Sequence, residues 1–117
     1  MLKIVLICLL LAIPSIATSQ DDSELYKKCV VTAKWSRKGE DAVVTVTIKN
    51  KTKKTLVDPS VRVTFLDKDG EEVTSDSKTY FKRIKRGKSK RMEARIWDYV
   101  PEEAVSVECE VEGGYFE

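Results

Sequence analysis

There is no histidine in these 117 residues. That removes the Ser-His and Cys-His pairs through which many enzymes activate a nucleophile, and it removes the commonest side-chain ligand for a transition metal. Proline and glycine are scarce, three and five, and they form no linker or low-complexity stretch. Neither charge sign dominates. The 21 Lys and Arg against 19 Asp and Glu leave a net charge of +2, so any preference for a charged partner must come from local patches. No apolar run reaches the roughly 20 residues that a bilayer-spanning helix needs, and no segment repeats its apolar residues with a 3.6-residue period. Carboxylates are plentiful, but they fall in turns and at outward strand positions, and acid–base pairs need an enclosed pocket to split their pKa values. The reading is therefore a non-catalytic protein, with no cofactor and no metal expected.

What is present begins with a leader. Lys3 precedes an apolar run from Ile4 to Ile13, then Pro14 and the small-residue zone Ser15 to Ser19. These are the three regions of a secretory signal peptide, with cleavage expected after Ala17 or Ser19. The chain then divides into a signal peptide over 1–19 and one domain over 20–117, secreted or periplasmic, with no transmembrane segment in the mature chain. Cys8 leaves with the leader. Cys29 and Cys109 remain, an even pair for an oxidising compartment, and a disulfide between them is expected. In the chain-entropy model a loop that long stabilises by about 4–4.5 kcal/mol.

Past the leader the period is two. Cys29, Val31, Ala33 and Trp35 share a face, as do Val44, Val46 and Ile48, then Val61, Val63 and Phe65. Met92, Ala94 and Ile96 alternate in the same way, and Val105, Val107, Cys109 and Val111 close the chain. The segments are rich in β-branched residues and bounded by turn formers such as Ser36–Asp41, Asn50–Lys54 and Asp67–Gly70. Asp58-Pro59 marks the start of a strand, Glu71–Ser75 a hairpin arm, Thr79–Ile84 another short strand, and Trp97–Glu103 a loop or one helical turn. The fold class is all-β, a small antiparallel immunoglobulin-like β-sandwich of six to seven strands.

The block from Val43 to Ile96 resembles the FxLYD-type immunoglobulin-like domains of exported proteins. The likeness runs through Val46-Thr47-Ile48-Lys49-Asn50, through Val61 to Gly70, and through Ile84-Lys85-Arg86-Gly87-Lys88. It covers about half of the mature chain. Where the family usually has a proline before the last glycine and an acidic residue after it, this chain has Arg86 and Lys88. The resemblance implies a binding or adhesion module and no catalytic residues.

Three motifs have competing readings. Asp67, Asp69, Glu71 and Glu72 around Gly70 suggest either a calcium loop or a tight turn, and Asp-Gly chemistry favours the turn. Asn50-Lys51-Thr52 is either a glycosylation acceptor or an Asx-type turn. Arg83 to Arg86 also reads as a dibasic processing site. The main chemical asymmetry is a basic cluster of Lys82, Arg83, Lys85, Arg86, Lys88, Lys90 and Arg91, with a second group at Lys49, Lys51, Lys53 and Lys54. Concentrated cations attract anions, and Arg grips phosphate or sulfate through two parallel hydrogen bonds. The cluster reads either as a solvated, charged loop that keeps sheet edges from aggregating or as a binding site for an anionic glycan or cell-surface polymer. The competing expectation is a protein partner held on a sheet face or edge, with Val30 and Val43 as contact positions. Few aromatics interleave the cations, which argues against nucleic acid.

Overall fold

The computed structural model describes residues 22–117. The expected signal peptide, residues 1–19, lies outside them. A single helical turn, α1 (Ser23–Tyr26), leads into eight strands: β1 (Cys29–Lys38), β2 (Asp41–Asn50), β3 (Leu56–Leu66), β4 (Glu72–Thr79), β5 (Arg83–Ile84), β6 (Ser89–Arg91), β7 (Arg95–Trp97) and β8 (Ser106–Phe116).

Two long strands organise the molecule. β2 is the centre of one sheet, with β1 along one edge and β6 followed by β7 along the other. β3 is the centre of the second, with β8 along one edge and β4 followed by β5 along the other. Every pairing is antiparallel, so each sheet presents one face to the core and one to water. Val44, Val46 and Ile48 of β2 meet Val61, Val63 and Phe65 of β3, all fully buried. Each such side chain contributes about 1.5–3 kcal/mol relative to exposure. Trp35 closes on Phe65 edge to face, with ring centroids 5.5 Å apart.

This is the expected small antiparallel sandwich, with eight strands rather than six to seven. Three local differences have physical causes. The expected strand through Met92, Ala94 and Ile96 is two short strands, because the phase slips by one residue at 92–94. Met92 and Trp97 face the core while Ala94 and Ile96 are exposed. Asp58-Pro59 does not open β3 but interrupts it. Proline has no N–H for the ladder, the register against β8 shifts on both sides of Ser60, and Asp58 takes a positive φ of 48°. The Thr79–Ile84 segment is strand only at its ends, since Tyr80 and Lys82 bind across to Pro59 O and Asp58 N–H instead.

The sandwich is closed differently on its two long sides. On one, the outer edges of β1 and β8 lie side by side, and the Tyr26 hydroxyl donates to Gly114 O at 2.7 Å. On the other, β4 packs Val73 against the core but its further core-side positions are polar. Asp76 and Lys78 stand opposite Val63 and Val61, and Lys78 Nζ sits 4.9 Å above the Trp97 ring. Inward charges on an edge strand discourage pairing with another chain.

The expected Cys29–Cys109 bond is not made in this structure, where both thiols are free. Both line the cleft between β1 and β8, but they engage different surroundings. Cys29 Sγ lies 3.6 Å from Leu25 O and 3.9 Å from Asn50 Oδ1, while Cys109 packs on β8 opposite Val63.

Candidate functional site

Antiparallel strands put their connections at two ends. At one end lie α1, the 51–55 loop between β2 and β3, the 80–88 segment around β5, and the C-terminal residues of β8. Asn50, the last residue of β2, assembles this end. Its side chain is 0% exposed. Nδ2 donates to Lys54 O and Ile84 O, both at 2.8 Å, while Oδ1 accepts from the Thr52 N–H at 2.9 Å and the Thr52 hydroxyl at 2.6 Å. Its main chain donates to Lys88 O at 2.9 Å and accepts from Gly87 N–H at 2.8 Å. One buried amide thus ties two loops far apart in sequence, and Lys51 N–H adds a third segment through Lys28 O.

The consequence is a convergence of charge. The 51–55 and 80–88 segments hold eight Lys and Arg and no carboxylate. Among the described residues only Arg83 of these eight forms an ion pair, with the Glu117 carboxylate. Arg83, Lys85, Lys88 and Lys90 line a shallow groove of about 290 Å³ with Ile84 and Ser89. Lys82 and Arg86 are exposed on the same end outside that groove. Arg91 does not join them. It pairs with Thr47 on β2 and borders a separate hollow on the outer face with Thr32, Lys34 and Thr45. The structure adds Lys51, Lys53 and Lys54 to the first cluster. It also adds Phe81, beside Lys82 in the chain and 78% exposed.

The opposite end carries the reverse charge. Its three connections, 38–41, 67–71 and 98–105, hold eight carboxylates and two lysines. The guanidinium of Arg37 donates to Val100 O and Pro101 O, each at 2.8 Å. Val100 N–H donates to Glu40 O at 2.8 Å, and Tyr99 N–H to Asp41 Oδ1 at 3.1 Å. The loop tip is therefore fixed, with Tyr99 held at a positive φ of 52° and 77% exposed.

The three open motifs resolve into structure. Asp67 Oδ1 accepts from Asp69 N–H at 2.8 Å and Glu71 N–H at 2.9 Å, which is turn chemistry. Asn50 uses both amide hydrogens internally, so the Asx-type turn is the arrangement present and a glycan at this atom would break it. Ile84 of the dibasic segment is buried, paired with Leu56 and bonded to Asn50, so the main chain there is held rather than open to cleavage. Val30 and Val43 both face outward but stand apart. Val30 pairs with Lys49, whereas Val43 pairs with Ile96 and Ser36, and the polar Lys34–Thr45 and Thr32–Thr47 pairs lie between. They make no common apolar surface.

Burial pushes the thiols of Cys29 and Cys109 up to about 11, and it pushes the Tyr80 hydroxyl up to about 12. Each is the reverse of what an activated nucleophile needs. Comparison with family models, with curated proteins and with solved structures returned no match.

Proposed function

We propose that this chain is an extracytoplasmic, non-catalytic binding or accessory module whose basic end contacts an anionic glycan or cell-surface polymer. The observation that carries the reading is the convergence at Asn50, which joins two cationic loops separated in sequence into one surface. An end with fixed main chain and long flexible cations suits a repeating polyanion, since Lys and Arg reach successive charges without refolding the loops. The likeness to FxLYD-type domains belongs to the same proposal, and the two-sheet antiparallel architecture supports it. A Cys29–Cys109 bond formed after export is a further part of the proposal.

The test is retention of residues 20–117 on immobilised heparin across a salt gradient, beside two variants. One changes Lys82, Lys85, Arg86 and Lys88 to Ser, and the other changes Lys51, Lys53 and Lys54 to Ser. Each variant is expected to elute at lower salt than the parent, because the two loops contribute to one surface and the attraction is screened. Elution of all three proteins together at low salt would sink the proposal. Loss confined to the 82–88 variant would reduce the site to a single loop.

A further inference from the structure

The two ends of this sandwich are complementary to each other. One has eight cations and no carboxylate in its two main loops, and the other has eight carboxylates and two lysines in its three. Each β2 or β3 strand spans ten or eleven residues, so the ends stand about 33 Å apart at the rise of a strand. That is several times the Debye length of about 8 Å at physiological salt. The poles therefore do not neutralise one another within a molecule, and each presents its own field.

Apolar exposure follows the same division. Among the described residues, six large hydrophobic side chains are exposed to solvent, of which Phe81 and Tyr115 stand at the basic end and Tyr99 and Val105 at the acidic end. Exposed aromatics set within charged rims are the composition of a protein interface. Both surfaces are also already ordered, one by the Asn50 node and the other by Arg37, Asp41 and Glu40. Ordered surfaces lose less entropy on association.

We infer that the protein associates head to tail with copies of itself, the acidic end of one molecule seated on the basic end of the next. A contact between unlike surfaces of one chain is heterologous. Each addition leaves a fresh acidic end and a fresh basic end exposed, so growth is open unless the rotation closes a ring. The inference uses the same basic end as the polymer reading but needs no polymer.

Sedimentation velocity on residues 20–117 tests it, at about 20 mM and about 500 mM salt, where screening differs several-fold. The weight-average mass is expected to climb with protein concentration at low salt without settling at a fixed multiple, and to return to the monomer at high salt. Two variants assign the surfaces. The acidic-end variant carries Tyr99→Ala, Glu102→Gln and Glu103→Gln, and the basic-end variant carries the four serines at positions 82, 85, 86 and 88. Each is expected to be monomeric alone, and their equimolar mixture is expected to give a dimer and nothing larger, because only one competent contact remains. All altered side chains are exposed, and unchanged melting temperatures check that both variants fold.

A monomer at every concentration in low salt overturns the inference. So does a plateau at twice the monomer mass, which marks a two-fold symmetric contact, or association that survives in either variant. Heparin retention separates this from the polymer reading: the acidic-end variant keeps its retention whether or not copies associate.

Discussion

The Asn50 side chain holds four hydrogen bonds to loop residues and one weak one from the Cys29 thiol in a site with no access to water, and no other residue type offers two donors and an acceptor in that shape. Aspartate there has the right size, but it deprives Lys54 O and Ile84 O of their donors and buries a charge. Asn50→Asp is expected to destabilise by about 3 kcal/mol or more, measured by urea unfolding. The cysteines give a pH prediction. An unfolded thiol ionises near 8.5, whereas the folded thiols hold their protons up to about 11. Their contribution is fully present below pH 8.5 and is lost as pH rises toward 11, so the urea midpoint of the reduced protein should fall across that window. The same burial makes them slow to exchange. Oxidised glutathione added to the reduced native protein should leave both thiols free, whereas refolding in its presence should give a product lighter by two hydrogens.

At the scale of the element, the alternation in β2, β3 and β8 was readable because burial on one face demands period two. What was not readable is where the phase breaks. Met92, Ala94 and Ile96 alternate faultlessly on paper, yet the chain slips one position after Met92, and Trp97 instead of Ile96 enters the core. A one-residue slip exchanges the faces of a strand, and nothing local marks it. The slip places the Trp97 indole beneath Lys78, a contact between strands far apart in sequence. The irregularity between β3 and β8 makes a sharper prediction. Gly114 has φ of 114°, and a Cβ there would lie 2.9 Å from both Asp58 O and Val57 O. Backbone cannot give way as a flexible side chain can. Gly114→Ala should cost about 2–3 kcal/mol, from strain and overpacking together. Gly87→Ala, with a positive φ but open space around it, should cost about 1 kcal/mol. Equal costs for the two would contradict the described approach of β8 to the 57–59 segment.

For the whole molecule, the basic run at 82–91 was legible from charge density alone, but its meeting with Lys51, Lys53 and Lys54 was not. That meeting depends on β5 lying against Leu56 and on an asparagine reaching Ile84 O, both consequences of strand order. Lys90 and Arg91 show the converse, since adjacent residues on a strand are sent to opposite faces. A ligand of the folded end must stabilise the fold by mass action. Soluble heparin at one hundred times its Kd is expected to add about 2.7 kcal/mol, read as a rise in melting temperature that high salt abolishes. No rise at any heparin concentration would count against a site built from the folded loops. The Asn50 node has one more consequence. Beyond its partner Thr52, every bond it sends into the two loops ends on main chain, at Lys54 O, Ile84 O, Lys88 O and Gly87 N–H. The side chains at 51, 53, 54, 82, 85, 86 and 88 are thereby excused from holding the fold. Their identities can be rewritten while the frame beneath stays put, so the surface chemistry of this end is free to change without its architecture.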